Sequence, residues 1–246
     1  MQIKEPIKIL DIPIHPFTMG EAVSALEESI TNGTQAFVVT ANAEIIMMCQ
    51  QDDEYKKIVS NSAEIVLPDG AGAVWAGRHL GYKVPERVAG FDLYCQLLSQ
   101  AAKKGYKVYF FGGSPGIAEA AKAKSEELYP GVQIVGCRNG YFKEEESLDI
   151  IKAINASEAD ILFAALGAPK QEKWLERYRD QLKPDVLMGI GGSFDVFAGK
   201  MERAPKWMQD ASLEWLFRLY KQPSRFMRMM ALPKFVLKVV FCGKKA

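Results

Sequence analysis

The sequence contains few of the residues that build disulfides or metal centres, with four cysteines and two histidines in 246 positions. The cysteines lie far apart and form no CxxC pair or other metal-ligand spacing. This pattern is typical of reduced thiols in a cytosolic protein and excludes a disulfide scaffold. Asp92 lies in the first turn of the predicted helix Phe91–Lys104 and Asp195 follows the predicted strand Asp185–Ile190, but neither belongs to an Asp-x-Asp pair of the kind that holds a metal against a nucleotide diphosphate.

Long hydrophobic runs are also missing. The opening MQIKEPIKIL contains no apolar signal-peptide region, so we expect no secretion signal. The most apolar stretch, residues 229–243, is interrupted by Pro233, Lys234 and Lys238. It is shorter than the ~20 residues that a membrane-spanning helix needs. We therefore expect a cytoplasmic protein that contacts a membrane without crossing it.

Acidic residues are absent from the end of the chain. From Arg218 onward there are eight basic residues and no Asp or Glu, whereas the preceding part has 23 basic against 30 acidic residues. Arg218, Lys221, Arg225 and Arg228 are spaced by three, four and three positions, so they would line one face if the helix continued past Pro223. We expect Pro233 to interrupt or end the helical segment that follows.

Aromatic and aliphatic residues are interleaved with these basic ones. That combination predicts a segment lying at an anionic membrane surface. A solvated basic face and an oligomer interface are the alternatives, and a homo-oligomer stays open. A nucleic-acid partner is not expected, because the apolar content is high and no nucleic-acid-binding motif accompanies the charge. Arginines here could equally hold a diphosphate through paired hydrogen bonds.

Short apolar runs alternate with amphipathic segments through the rest of the chain. Predicted strands are Ile7–Ile14, Ala36–Thr40, Glu64–Leu67, Lys107–Phe111, Gln133–Val135, Asp160–Leu166 and Asp185–Ile190. Predicted helices are Met19–Thr31 with a Thr18 cap, Ala43–Ser60, Gly70–Leu80, Phe91–Lys104, Pro115–Tyr129, Glu144–Asn155, Lys170–Gln181 and Pro205–Lys221. Strands such as KVYFF and DILFAAL are apolar on both faces, which indicates a mostly parallel sheet covered on both sides. The fold class is α/β: a Rossmann-like core at residues 1–204 and a C-terminal helical, membrane-targeting appendage at residues 205–246.

Ligands of open α/β sheets bind beyond the carboxyl ends of the strands, so the strand-to-helix junctions are the candidate sites. At the LPDG junction, Asp69 could act as a general base on a sugar hydroxyl, or could cap the helix that begins at Gly70. At the TANAE junction, Thr40 and Asn42 could bond a sugar or base, or could start the next helix. In ALGAPKQE, Gln171 could project its amide toward a ligand or face solvent.

The FFGGSPG turn, residues 110–116, is a glycine-rich strand-to-helix connection. Backbone N–H groups there could approach a phosphate closely, although a tight turn without a ligand explains the same residues. The turn is not a full GxGxxG pattern, and no acidic residue closes the next strand to hold a ribose. A nicotinamide-dependent dehydrogenase is therefore disfavoured.

Several of these segments together resemble the WecG/TagA/CpsF family of bacterial glycosyltransferases. The resemblance runs through KILDIPIHPFTMGEAV, TANAEIIM, LPDG, VPERVAGFDL, YPGVQIVGCRNGYF, ALGAPKQEKW, GIGGSFDVFAG and KQPSRFMRMMALPKFVLKV, which span nearly the whole chain. It implies that Asp69 is the general base and that Thr40, Asn42, Arg87 and Gln171 line the substrate pocket. It also implies that Arg218, Arg225 and Arg228 close the site and hold diphosphate.

The resemblance further implies a metal-independent, inverting reaction that needs no cofactor. N-acetylmannosamine would move from UDP-N-acetylmannosamine to the C4 hydroxyl of N-acetylglucosamine on undecaprenyl diphosphate, the committed step toward wall teichoic acid. The protein would lie on the inner face of the plasma membrane. Two alternatives are kept: transfer of the related uronic acid sugar, and a non-enzymatic nucleotide-binding module that is recruited to membranes.

Overall fold

The centre of the molecule is a six-stranded parallel β-sheet. The computed structural model of the chain describes residues 4–211, 213–223 and 226–243, apart from the side chains of residues 210, 218 and 227. The strands are β1 (Ile7–Ile9), β2 (Ile12–Ile14), β3 (Ala36–Ala41), β4 (Ile65–Pro68), β5 (Lys107–Gly112), β6 (Gln133–Arg138), β7 (Ile161–Ala165) and β8 (Val186–Gly189). In the main sheet they are ordered β4-β3-β8-β7-β5-β6, and every pair is parallel. The predicted α/β class with a parallel sheet is confirmed.

Helices cover both faces of the sheet. They are α1 (Met19–Asn32), α2 (Ala43–Cys49), α3 (Asp53–Lys57), α4 (Gly70–His79), α5 (Gly90–Lys104), α6 (Ile117–Leu128), α7 (Ser147–Ala156), α8 (Lys170–Tyr178), α9 (Ser193–Phe197), α10 (Lys206–Asp210), α11 (Glu214–Lys221), α12 (Phe226–Met229) and α13 (Ala231–Cys242). One face packs against α2, α3, α4, α7, α8 and α13, and the other against α1, α5, α6 and α9.

The sequence of β3 shows why the sheet is buried on both sides. All six of its residues are buried. Phe37 and Val39 belong to one core cluster, whereas Ala36 and Val38 belong to the other. Successive side chains of a strand point to opposite faces, so a strand covered on both faces reads as a continuous apolar run.

Local signals set the ends of α1 as the sequence predicts. Thr18 accepts a hydrogen bond from Glu21 N at 3.2 Å, and the Glu21 carboxylate accepts one from Thr18 N at 2.8 Å. This reciprocal capping box satisfies N–H groups that the first turn leaves without partners. Gly33 then ends the helix in the left-handed conformation, with φ 61°.

Two predicted elements in the first part of the chain are wrong in extent. Residues 7–14 form an antiparallel hairpin instead of one strand, because Leu10 and Asp11 both take positive φ and reverse the chain. The predicted helix over residues 43–60 ends at Cys49 and restarts at Asp53. Asp52 causes the restart, since its side chain accepts from Tyr55 N at 2.9 Å and caps α3.

The C-terminal helices also differ from the prediction. The helix expected from Pro205 to Lys221 is divided into α10 and α11, and the Leu213 N–H bonds back to the Met208 carbonyl at 2.8 Å, which closes α10. Because α11 ends at Lys221 and α12 is a separate helix, the condition for one basic helix face, a helix that continues past Pro223, is not met. Pro233 lies in the first turn of α13, where its missing N–H is not needed, so it does not interrupt the helix.

Helix α13 packs on the core although it lies at the end of the chain. Phe235 and Val239 are buried among the residues of α2 and α4. A Cβ at Gly72 would lie 3.2 Å from the Ala43 Cβ, so the glycine allows α4 to approach α2 closely beside Phe235. Lys238 donates to Gln50 Oε1 at 2.9 Å. The division into residues 1–204 and 205–246 stays a prediction. Within the described residues, no helix has the length and hydropathy to cross a membrane.

Candidate functional site

A cleft opens at the carboxyl end of β8. Its neighbours β3 and β7 are followed by α2 and α8, which pack on one face of the sheet, whereas β8 is followed by α9 on the other face. The connections therefore diverge on either side of β8, and a crevice forms where they part. The TANAE, LPDG, ALGAPKQE and GIGGSFD junctions all meet there.

Asp69 stands between β4 and α4 and lines this cleft. It occupies the N-cap position of α4, but its side chain makes no capping hydrogen bond. One carboxylate oxygen, Oδ2, instead accepts from Gly90 N over 3.4 Å, which is a long contact. The capping alternative for Asp69 is thus not realised. The carboxylate borders a cavity of about 350 Å³.

Thr40 and Asn42 lie beside Asp69 on the next strand of the sheet. The Asn42 side chain accepts from Ile45 N at 2.9 Å, so it caps α2 and starts that helix, one of the two roles weighed from the sequence. It also lines the same cavity as Asp69. Thr40 is buried at the end of β3, and its hydroxyl faces the backbone of Gly90. The sheet therefore brings the three predicted residues together.

Gln171 lies on the side of the cleft formed by the loops after β7 and β8. The side chain is buried, so the solvent-facing alternative is wrong. Its Oε1 accepts hydrogen bonds from Gly167 N at 3.1 Å and Gly191 N at 3.0 Å. Its Nε2 donates to Glu172 Oε1 at 2.7 Å. Gln171 thus joins the loop after β7 to the loop after β8.

A network of two arginines and two carboxylates forms another wall of the cleft. Arg203 pairs with both oxygens of Asp92, at 2.6 and 2.9 Å, and its guanidinium lies 4.7 Å from the centre of the Phe91 ring. Arg87 contacts Glu214 at 3.4 Å and Asp92 at 3.7 Å. Burial alone would lower the pKa of Arg203, but Asp92 and Glu214 more than offset it, so the pKa is raised.

This network links α11 to the core and contains residues that the sequence did not single out for the site. Arg203 and Glu214 border the cavity together with Arg87 and Asp69. The sequence offered no signal for Arg203, because it follows no strand and belongs to no periodic pattern. Its partner Asp92 is 111 positions away.

Of the remaining predicted arginines, one has its side chain in the described part of the chain. Arg228 lines the cavity, and its Nε lies 3.8 Å from Glu44 Oε1. The side chain of Arg218 and the whole of Arg225 lie outside the described residues. Arg87 and Arg228 are therefore the two predicted arginines that the structure places beside Asp69.

A second cavity, of about 620 Å³, lies at the carboxyl ends of β5 and β7. The glycine-rich turn borders it through Gly113, and Gly140 and the exposed ring of Tyr141 form another side. Gly113 N donates to Ala165 O at 2.9 Å, and Gly140 N donates to Gly113 O at 2.8 Å. These bonds tie the turn to the end of β7 and to the loop after β6, and within the turn Ile117 N donates to Ser114 O at 3.0 Å.

Comparison with known proteins agrees with this arrangement. Residues 7–246 match the model of the glycosyl transferase WecG/TagA/CpsF family. The chain is 37% identical over 241 residues to the N-acetylglucosaminyldiphosphoundecaprenol N-acetyl-beta-D-mannosaminyltransferase of Bacillus spizizenii, an alignment that covers 98% of this chain and 91% of the relative. It is 36% identical over 205 residues to the protein of the same description in Bacillus subtilis, covering 83% of this chain and 79% of that one. The chain therefore belongs to the WecG/TagA/CpsF family of glycosyltransferases.

Proposed function

We propose that the chain transfers N-acetylmannosamine from UDP-N-acetylmannosamine to the C4 hydroxyl of N-acetylglucosamine on undecaprenyl diphosphate. The product is a β-1,4-linked disaccharide lipid, the committed intermediate of wall teichoic acid linkage-unit synthesis. The observation that carries the proposal is the Asp69 carboxylate, which lines the same cavity as three arginines instead of capping its helix. The two Bacillus relatives are named for transfer of the same sugar to the same acceptor.

In the proposed mechanism, Asp69 takes the proton of the acceptor hydroxyl while that oxygen attacks the anomeric carbon. The bond from this carbon to the UDP oxygen breaks, and its electron pair leaves with UDP. Attack from the side opposite the leaving group inverts the anomeric centre. One carboxylate as base is sufficient for such a displacement.

The departing diphosphate gains negative charge, and arginines can stabilise that charge without a metal ion. Arg87, Arg203 and Arg228 line the same cavity as Asp69. Arg218 and Arg225 join them in the proposal on the basis of the family resemblance. Thr40 and Asn42 are proposed to contact the sugars, and Gln171 to shape the pocket through the two loops that it joins.

We also propose that the enzyme binds the inner face of the plasma membrane through its C-terminal helices. On α13, Phe235 and Val239 face the core, whereas Leu237, Val240 and Phe241 lie on the opposite, exposed face. An exposed apolar helix face flanked by lysines suits an anionic interface. A polyprenyl acceptor would stay in the bilayer while its sugar head enters the cleft.

The role of Asp69 is tested by the change Asp69→Asn, which keeps the size of the side chain but removes the base. We expect kcat to fall by roughly 10²- to 10⁴-fold, because general-base catalysis contributes that much. Donor binding, measured by calorimetry, should persist. The matched control is Asp149→Asn, an exposed residue of α7, which should keep the wild-type rate. A near-normal kcat for Asp69→Asn would remove this residue as the base.

A further inference from the structure

A carboxyl group is fully buried directly beneath the proposed active site. Glu172 lies in the first turn of α8, and only 1% of its surface is exposed. Among the described residues it forms no ion pair with a lysine, arginine or histidine. Its Oε1 accepts the hydrogen bond from Gln171 Nε2 at 2.7 Å. Burying a carboxyl group without a cation is costly, so the site needs an explanation.

The surroundings of Glu172 are apolar or uncharged. Its other oxygen, Oε2, and the Tyr55 hydroxyl are both buried, lie beside each other, and make no hydrogen bond of good geometry within the described part of the chain. Gly189 leaves space on the other side, since a Cβ there would lie 2.9 Å from Glu172 Oε1. The Tyr55 hydroxyl carries the proton that can join these two oxygens.

The bond to Gln171 determines which way the Gln171 amide points. A side-chain amide can be turned over with little change in shape, which exchanges its donor and its acceptor. Glu172 Oε1 accepts from Nε2 and thereby leaves Oε1 of Gln171 for the N–H groups of Gly167 and Gly191. With the amide turned over, two N–H groups would face its NH₂ group, and both loops would lose their common acceptor.

We propose that Glu172 is a positioning residue, which holds the Gln171 amide in the one orientation that joins the loops after β7 and β8 at the base of the cleft. It touches neither substrate nor the reacting atoms. The consequence for catalysis rests on the proposed function, because these two loops border the cleft that contains Asp69 and Thr40.

The surroundings of Glu172 favour its neutral form. Burial raises the pKa of Glu172, and it also raises the pKa of Tyr55 and that of Cys49, the latter to about 12. Tyr55 and Cys49 are therefore uncharged near neutral pH and bring no charge to the cluster. The Tyr55 hydroxyl can donate its own proton to Oε2, while Oε1 accepts from Gln171, so both carboxyl oxygens have a partner.

Charged groups around this cluster are paired with one another. Asp52 and Lys56 act on Cys49 from α3 and its cap. Lys173, the residue after Glu172, contacts Asp52 at 2.8 Å and Glu54 at 2.6 Å. Their mutual neutralisation leaves burial as the main influence on Glu172.

The test compares Glu172→Gln, which imitates the neutral acid in shape and hydrogen bonding, with Glu172→Leu, which removes the acceptor. Glu172→Gln should keep kcat within about twofold of wild type. Glu172→Leu should lower kcat by roughly ten- to a hundredfold, because displacements of about 1 Å have such effects. Glu145→Gln, a change at an exposed residue, serves as the control. Equal losses for Glu172→Gln and Glu172→Leu would contradict the proposal.

A second readout does not depend on any enzymatic activity. In Glu172→Leu, the amide hydrogens of Gly167 and Gly191 should exchange faster with solvent than in wild type, whereas Glu172→Gln should leave them protected. Unchanged exchange at both glycines in Glu172→Leu would overturn the positioning role even if transfer is never observed. Failure of the transfer reaction with normal exchange results would instead count against the proposed function alone.

The neutral state is tested by thermal unfolding at different pH values. The unfolded chain releases the Glu172 proton above pH ~4.3, whereas the folded chain holds it to a higher pH because burial raises the pKa. Wild type should therefore lose stability relative to Glu172→Gln as the pH rises above that value. The difference in Tm should be larger at pH 7 than at pH 4. A difference that is the same at both pH values, or that has the opposite sign, would show that Glu172 is ionised in the folded protein.

Discussion

At the scale of single residues, Gly90 determines how closely two site side chains approach. Its N–H faces Asp69 Oδ2, and a Cβ on it would lie only 2.7 Å from the Thr40 hydroxyl oxygen. Thr40 is itself buried and cannot move away freely. The absence of a side chain at position 90 therefore allows β3, β4 and α5 to meet at the cleft.

We expect Gly90→Ala to lower the free energy of unfolding by about 1–3 kcal/mol, as overpacking of a core does, and to lower kcat as well. Adding Thr40→Ala removes the oxygen that the new methyl group meets, so the double variant should recover stability without recovering activity. Urea denaturation and initial rates measure the two effects. Gly20→Ala is the matched control, since nothing lies within 4 Å of a Cβ there. Wild-type stability and rate in Gly90→Ala would refute this account of the packing.

At the scale of elements, α13 combines two surfaces that serve different purposes. Phe235 is fully buried against α4, whereas Phe241, six residues later, is 79% exposed. The inner face makes the helix part of the core on which the sheet rests. The outer face is free to contact a membrane. Removing the helix would therefore uncover apolar surface of α2 and α4 in addition to removing the proposed membrane contact.

The two phenylalanines allow this division to be tested on one helix. Phe235→Ala should destabilise the protein by about 3–5 kcal/mol, the usual cost of emptying a buried aromatic site. Phe241→Ala should change the free energy of unfolding by no more than about 0.5 kcal/mol. Chemical denaturation compares them directly. Equal effects of the two substitutions would mean that α13 does not pack as described.

At the scale of the whole molecule, charge is distributed unevenly. The part before Arg218 has a formal charge of about −7, and all the charged residues in the remainder are basic. Each basic residue near an anionic membrane contributes ~1 kcal/mol to binding, and salt screens that attraction. The C-terminal part should therefore orient the molecule on an anionic surface, while the acidic part points away.

We expect the protein to bind phosphatidylglycerol vesicles more tightly than phosphatidylcholine vesicles in a sedimentation assay, and high salt should reduce the difference. Phe241→Ala should weaken binding to the anionic vesicles roughly ten- to a hundredfold, because a buried aromatic side chain is worth about 1.5–3 kcal/mol. The same substitution serves as a stability control above, so unfolding cannot explain the loss. Equal binding to both vesicle types at low salt would argue against the membrane proposal.

The parallel sheet and the grouping of Thr40, Asn42 and Asp69 could be predicted from sequence, because both follow from buried apolar runs and from the geometry of strand ends. Helix breaks could not be placed, since a single cap such as Asp52 decides them. The wall formed by Arg203 escaped prediction for another reason. Its partners come from distant parts of the chain, and no local pattern records such a pairing.

The measurement that most directly tests the central claim is the transfer reaction itself. The full chain is incubated with UDP-N-acetylmannosamine and a short-chain lipid diphosphate carrying N-acetylglucosamine, with and without a chelator of divalent metals. We predict that UDP is released in step with a β-1,4-linked disaccharide lipid, at rates that the chelator leaves unchanged. A folded protein that binds the donor but forms no disaccharide would contradict the proposed function, and strong inhibition by the chelator would contradict the metal-free mechanism.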